Sequence, residues 1–266
     1  MSAPSIIAVN VGNSRVQIGS FVDGQLGPTE YFDERETTAA AQQVVQWWPT
    51  IADHSKVAIL MASVNDAVAD PLTAMIEDQL SVGIYRIGTD LPVPIGQQLD
   101  PETLTGVDRL LNASAAFDRL EQACIVIDAG SAITVDFVDG EGTFQGGAIA
   151  PGATMQLRAL HEHAAGLPEL TFAAPDSEPF GRSTSQAMLK GVFHGILGMV
   201  QRLIEQYAEY YTAFPQIVAT GGDAQLLFEN DELVEIIVPE LTLLGIAVAA
   251  KHAMTASEVD DTDVRS

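Results

Sequence analysis

Three short stretches carry residue types that could do chemistry. In "VGNSR", residues 11 to 15, Gly12 sits in a tight turn between two alternating apolar runs. Such a turn can aim consecutive backbone N–H groups at phosphate oxygens, with Asn13, Ser14 and Arg15 adding side-chain donors. A plain hairpin loop has the same composition, so this stretch alone does not decide. In "DAGSA", residues 128 to 132, Asp128 ends an apolar strand and is followed by Gly130 and Ser131. A carboxylate projecting there can hold a cation that screens phosphate charge, or it can simply cap its own turn. In "TGGDA", residues 220 to 224, Gly221 and Gly222 follow a strand and precede a helix, which suits close approach of a flat ring or a phosphate. The apolar strand before them makes a helix C-cap a poor alternative.

Other chemistries lack their residues. None of the three lysines follows a glycine, so there is no Walker sequence, and no G-x-G-x-x-G occurs. His161 and His163 in "HEH" would leave opposite sides of a helix, and no H-E-x-x-H is present, so no zinc site is expected. Cys124 is the single cysteine, which excludes an intrachain disulfide and a cysteine cluster; its setting in "ACIVID" predicts a buried strand residue.

The elements that must position these turns repeat. "IIAVNVGNSRVQIGSFVDGQLG" from Ile6 and "CIVIDAGSAITVDFVDGEGTFQGG" from Cys124 share one plan: an apolar strand, an Asx-x-Gly-polar turn, an alternating strand, and a Val-Asp-Gly turn into a third. Asn10 and Asp128 correspond, although the distance to the Val-Asp-Gly turn differs by two positions. The chain reads as internally duplicated, with domains at residues 1–115 and 116–266. "TAAAQQVVQWWPTI" has helical spacing, "KVAILMASV" is a buried strand, and "PLTAMIEDQL" predicts a helix with proline in its first turn. "GVDRLLNASAAFDRLEQA" reads as a helix, and "SQAMLKGVFHGILGMVQRLIEQYAEYY" as one long helix or a pair broken near Gly195 and Gly198. Trp47, Trp48 and the tyrosines at 207, 210 and 211 read as core or dimer packing, and residues 257–266 as a frayed, disordered acidic end.

Twelve basic against 36 acidic residues leave a formal charge of −24, so nucleic acid and anionic membranes are not expected partners. The charge also opposes an anionic nucleotide, and any such site must supply backbone dipoles, arginine and metal cations. The start "MSAPSIIAVNV" has no basic segment followed by a long apolar stretch, which makes cytoplasmic residence the expectation.

Two glycine turns and a later strand-Gly-Gly-helix resemble the phosphate and adenosine elements of the actin-like (ribonuclease H-like) ATPase fold, an α/β architecture of two duplicated domains with mixed sheets flanked by helices. Within that fold the chain resembles the type III pantothenate kinases over nearly its whole length, through "VNVGNSRVQIG", "GVDRLLNASAA", "VIDAGSAITVDFVDGEGTFQGGAIAPG", "AAGLPEL", "GRSTSQAMLKGVFHGI", "IVATGGDA" and "VPELTLLGIAVAAKHA" in that order. The resemblance implies a homodimer that phosphorylates pantothenate with ATP, the first step toward coenzyme A, using Mg²⁺ and a monovalent cation, K⁺ or NH₄⁺. It implies ATP phosphate contacts from Asn10, Val11, Gly12, Asn13, Ser14, Arg15, Val16 and Gln17. Ser131, Gly221 and Gly222 complete the nucleotide contacts, and Asp128 holds the monovalent cation. Asp108 is the implied general base, with Gly106, Val107, Asp108, Arg109 and Thr184 at pantothenate. A helix-cap Asp paired with Arg109 is the bland alternative for Asp108.

The sequence departs from the family pattern in places. Asn10 stands where the family has Asp, which removes a negative charge and leaves only an amide oxygen for a metal. Gln98 and Leu99 occupy the neighbourhood of a usual tyrosine, Ser131 replaces Thr, and Ser183 replaces Asn or Asp. These changes keep open a weakened relative that binds ligands or regulates without turning them over. The retained Asp108, Arg109 and Asp128 favour a working kinase.

Overall fold

The computed structural model describes residues 3–263. It begins with a three-stranded meander, β1 (Ser5–Val11), β2 (Arg15–Val22) and β3 (Gln25–Asp33). Helix α1 (Thr37–Ile51), strand β4 (Val57–Ser63), helix α2 (Asp66–Leu80) and strand β5 (Ile84–Arg86) follow. A short strand β6 (Gly96–Gln97) precedes helix α3 (Val107–Leu120). A second meander is β7 (Cys124–Ala129), β8 (Ala132–Val138) and β9 (Thr143–Pro151). Then come α4 (Ala153–His163), α5 (Thr184–Tyr211), β10 (Gln216–Thr220), α6 (Ala224–Phe228), β11 (Ile236–Ile237) and α7 (Leu241–Asp263).

The sheets carry the duplication into topology. One has the order β3-β2-β1-β4-β5 and the other β9-β8-β7-β10-β11 with β6 added beyond β9, so the two meanders and their parallel neighbours correspond strand for strand. Asn10 and Asp128 are each the penultimate residue of the equivalent strand. Asn10 faces Gln17 and Ala62; Asp128 faces Thr134 and Thr220. The two-position difference seen in the repeat is thereby accounted for: the first meander has one residue more in the turn and one more in the second strand before Val-Asp-Gly. In the first of those turns Asp23 and Gly24 both take positive φ, 47° and 77°, the backbone a two-residue hairpin demands.

Two compact units result. The first comprises the chain to Ile95, Glu102–Asp118 and the chain from Glu240; the second comprises Gly96–Pro101 and Arg119–Pro239. Neither is continuous in sequence, unlike the division at 115/116 drawn from the repeat. Strand alternation explains the first unit. Ile7, Val9 and Val11 face α1 and α2 with Val44 and Leu72, whereas Ile6 and Ala8 face Leu111 of α3 and Leu243, Ile246 and Ala249 of α7. The last helix therefore returns to the first sheet because that sheet has a second apolar face to cover; each fully buried Ile or Leu in it contributes about 1.5–3 kcal/mol. In the second unit Ile125, Ile127, Ile133 and Val135 pack against Leu157 of α4 and Met188, Val192 and Ile196 of α5.

Helix α5 is continuous across Gly195 and Gly198. The proline of "PLTAMIEDQL" is not in the first turn: α2 opens at Asp66 after Asn65, so Pro71 lies inside the helix. The helix therefore absorbs within its length the one N–H that Pro71 lacks. The acidic end expected to fray from residue 257 continues α7 to Asp263, an extension of an alanine-rich helical run, and residues 264–266 lie outside the described residues. Cys124 is fully buried, and burial pushes its thiol up to about 12. Trp47 and Trp48 pack on the first core and Tyr207 and Tyr211 on the second. Among the described residues no helix is long and apolar enough to cross a membrane.

Candidate active site

In the first unit the sheet's alternation decides which side of it the turn serves. Asn10 shares its face with Ile6 and Ala8, the face covered by α3 and α7, and lies half-buried at the carboxyl end of β1. The turn after it is closed by the Gly12 N–H donating to the Arg15 carbonyl at 2.9 Å, and Asn13, Ser14 and Arg15 are exposed. An amide, a hydroxyl and a guanidinium are thus presented together. Val11 and Val16 are buried, so toward a ligand they could offer only backbone. Gln17 is buried too, and its Nε2 donates to the Tyr31 hydroxyl at 2.9 Å, tying β2 to β3 on the face that Asn10 shares.

Asp108 is the second residue of α3 and reaches the same edge of the sheet. β4 runs parallel to β1, and a Cβ built on Gly106 would lie 3.7 Å from Cγ1 of Val64, the residue after β4. That Cβ would also stand 2.5 Å from Oδ1 of Asp108, so the glycine leaves the carboxylate room in the position it takes here. Oδ1 accepts the Arg109 N–H at 2.8 Å. The carboxylate therefore does part of the capping that the bland alternative assigned to it. Its environment adds something a surface cap lacks. Burial raises its pKa above the ordinary aspartate value, partly offset by the hydrogen bond from the Arg109 backbone and by the Arg109 charge. A more basic carboxylate accepts a proton more readily, and the side chain remains partly accessible.

The second unit gathers Asp128, the glycine pair and the Ser131 turn at the equivalent edge. β7 and β10 run parallel with Asp128 opposite Thr220, and Gly221 follows at once. Gly221 has φ +96°, and a Cβ there would meet the Ala129 carbonyl oxygen at 2.4 Å and Oδ1 of Asp128 at 2.5 Å. Both the backbone and the space demand glycine. Ser131 is exposed in the β7–β8 turn and Gly222 is exposed in the turn toward α6. Hard oxygen donors at a strand end suit a monovalent cation better than a soft metal. Among the described residues no group of three or more His, Cys, Asp or Glu side chains is gathered in a metal-holding cluster.

Thr184 is exposed as the first residue of α5. Ser183 serves as N-cap: its hydroxyl accepts the Gln186 N–H at 3.2 Å while the Gln186 side chain accepts from Ser183, a reciprocal capping box. Serine caps as well as the Asn or Asp it replaces, so that departure costs little. Gln98 and Leu99 follow β6 and lie against β9, where the Gln98 N–H donates to the Phe144 carbonyl at 3.0 Å. The Gln98 amide oxygen accepts from Gln145 Nε2 at 3.2 Å, and Leu99 Cδ2 is 3.3 Å from a Cβ built on Gly146. Sequence reasoning missed Lys190 and Asp176, which fasten the chain before Thr184. Their signal was faint: a lysine interior to an apolar helix pattern.

A sequence profile described as type III pantothenate kinase matches residues 6–206. The relative of that name from Ruegeria pomeroyi is 30% identical, covering 93% of this chain and 97% of its own. That from Gluconobacter oxydans is 32% identical over 92% of each chain. Among solved structures, one described as a Baf family transcriptional activator from Campylobacter jejuni gives a TM-score of 0.61 at 20% identity, covering 94% of this chain and 99% of that one. The activator of the 2-hydroxyisocaproyl-CoA dehydratase from Clostridium difficile, with bound ADPNP, gives 0.52 at 10% identity over 97% of each. These structural likenesses concern the fold alone, and that fold is the actin-like ATPase architecture.

Proposed function

The chain belongs to the type III pantothenate kinase family, and from that premise we propose that it transfers the γ-phosphoryl group of ATP to the hydroxyl of pantothenate, giving 4′-phosphopantothenate and ADP. The new bond joins the acceptor oxygen to the γ-phosphorus, the bond to the β,γ-bridging oxygen breaks, and the acceptor's proton passes to Asp108. Phosphoryl transfer asks the protein mainly to position its reactants and balance charge. In this reading the turn from Gly12 to Arg15 holds phosphate oxygens, Gly221 and Gly222 admit the nucleotide, and Gly106, Arg109 and Thr184 hold the acceptor. A divalent cation carried with ATP, taken as Mg²⁺, supplies charge screening when bound, with Asn10 the residue that would help hold it. Most of its ligands would be phosphate and water oxygens, which fits the absence of a carboxylate cluster among the described residues. Asp128 would hold K⁺ or NH₄⁺. The protein is a homodimer in this reading, and light scattering tests that by its mass.

The observation that carries the proposal is the environment of Asp108: a carboxylate made more basic by burial, fitted against a glycine, at the sheet edge that also bears the Gly12 turn. The test is purified protein with ATP, Mg²⁺, K⁺ and pantothenate, followed by mass spectrometry. One 4′-phosphopantothenate per ADP is expected. Binding of both substrates without product would overturn the proposal in favour of a regulatory or ligand-binding role.

A further inference from the structure

Between Ala164 and Ser183 the chain forms no helix or strand, a strap of unusual length for a compact unit. Its last residues lead directly into Thr184. Lys190, one turn and a half further along α5, is the one lysine or arginine that is buried among the described residues. Its Nζ donates to the Asp176 carbonyl at 2.8 Å, to Asp176 Oδ1 at 2.7 Å and to the Glu178 carbonyl at 2.5 Å. An ammonium has three donors, and all three go to the strap.

The other oxygen of Asp176 is also used. Gln186 Nε2 donates to Asp176 Oδ2 at 3.1 Å, and Gln186 Oε1 accepts the Arg182 N–H at 3.0 Å and the Ser183 N–H at 3.2 Å. Gly181 lies so close to α5 that a Cβ on it would stand 2.5 Å from the Ala187 nitrogen. The network is therefore continuous: Lys190 holds Asp176, Asp176 holds Gln186, and Gln186 holds the two residues before Thr184. Burying a cation is costly unless its partners compensate, and here every donor is matched. The Lys190 hydrogen bond, the largest cause, together with its charge also draws the Asp176 carboxylate below its ordinary pKa, consistent with a persistent pair.

We propose that Lys190 is a positioning residue for acceptor binding, acting through Asp176 and Gln186 to hold the 164–183 strap and thereby fix Thr184. The role rests on the assignment of Thr184 to pantothenate. Lys190 touches neither substrate, and its effect should fall on the acceptor alone.

Lys190→Met keeps the apolar stem and removes the three donors. It should raise the pantothenate KM about tenfold or more while leaving the ATP KM and kcat within about twofold. Because the effect passes through Thr184, the same substitution in a Thr184→Ala background should add less than about twofold. Chymotrypsin gives a readout free of activity: Phe180 is 74% exposed on the strap, and cleavage after it should be faster in Lys190→Met than in the unsubstituted protein. Equal increases in both KM values, a full effect surviving in the Thr184→Ala background, or unchanged cleavage would each overturn the proposal. If the unsubstituted protein does not phosphorylate pantothenate, the functional reading fails and the positioning role with it. Protection of Phe180 by Lys190 would then stand as a property of the strap only.

Discussion

The two meanders share a backbone plan and differ in charge. In the first, the penultimate strand residue is the neutral Asn10, and the longer turn beyond it ends in a guanidinium at Arg15. In the second, the equivalent residue is the carboxylate of Asp128, the turn is shorter, and a glycine from the parallel neighbour sits against the acid. In the proposed reading the first arrangement takes the phosphates and the second a monovalent cation. A duplicated scaffold supplies two equivalent edges, and single side chains set the charge that each presents.

Substitutions can break this contrast, and the largest effect is expected at the acid that belongs to the first edge but comes from a helix. Asp108→Asn should lower kcat by about 10²–10⁴-fold, the span of one general base, with ATP affinity almost unchanged. In the unsubstituted protein, kcat/KM for pantothenate should fall as pH drops through the raised Asp108 pKa, so the acid limb should lie above the ordinary Asp value of about 3.9. The linkage has a definite sign. Stability from a group with a raised folded pKa is present below the unfolded value and lost as pH rises through the folded one, so Asp108→Asn should not destabilise the protein at neutral pH. An acid limb at the ordinary value, or an active Asn variant, would remove Asp108 from the mechanism.

The next effect compares glycines. Gly221→Ala places a Cβ at φ +96° against a carbonyl and the Asp128 carboxylate, whereas Gly12→Ala meets only the Arg15 carbonyl at 3.3 Å. The first should cost about 1–3 kcal/mol from backbone strain alone, the second about 0.5 kcal/mol or less. Thermal unfolding of the two variants measures the difference. Similar losses would mean that the two edges are equally crowded and the contrast false. A smaller effect follows at the cation: Asp128→Asn should weaken the activation by K⁺ about tenfold, since hard cations are tuned by ligand charge. Unchanged K⁺ dependence would leave Asp128 as a turn cap.

Much of this was legible in residues. The repeat from Ile6 and Cys124 foretold matching sheets because strand period and turn chemistry are local properties. The return of α7 to the first sheet was not legible, since which face of a sheet needs covering is a tertiary question. Pro71 misled for the opposite reason: a strong local signal lost to an earlier start at Asn65 and Asp66. At the site, the glycine turns announced themselves, but the demand for glycine at 106 depends on where the Asp108 carboxylate points. The Lys190 strap was invisible because its partners lie 12 and 14 residues away, on a segment without periodicity.

The smallest predicted effect is the most direct test of the comparison. Asn10→Asp gives the first edge the carboxylate that the second already has. The half-maximal Mg²⁺ concentration should fall about three- to tenfold, because a carboxylate is the stronger ligand for a hard cation. The accompanying change in kcat should be small, since Asp108 and the Gly12 turn are untouched. The direction matters more than the size. A negative charge added beside the turn proposed to bind phosphate would repel ATP unless a metal ion lies between them, so nucleotide affinity measured without Mg²⁺ should weaken while the Mg²⁺ requirement eases. If both quantities stay as they were, Asn10 faces neither metal nor phosphate, and the charge difference between the two edges has no bearing on catalysis.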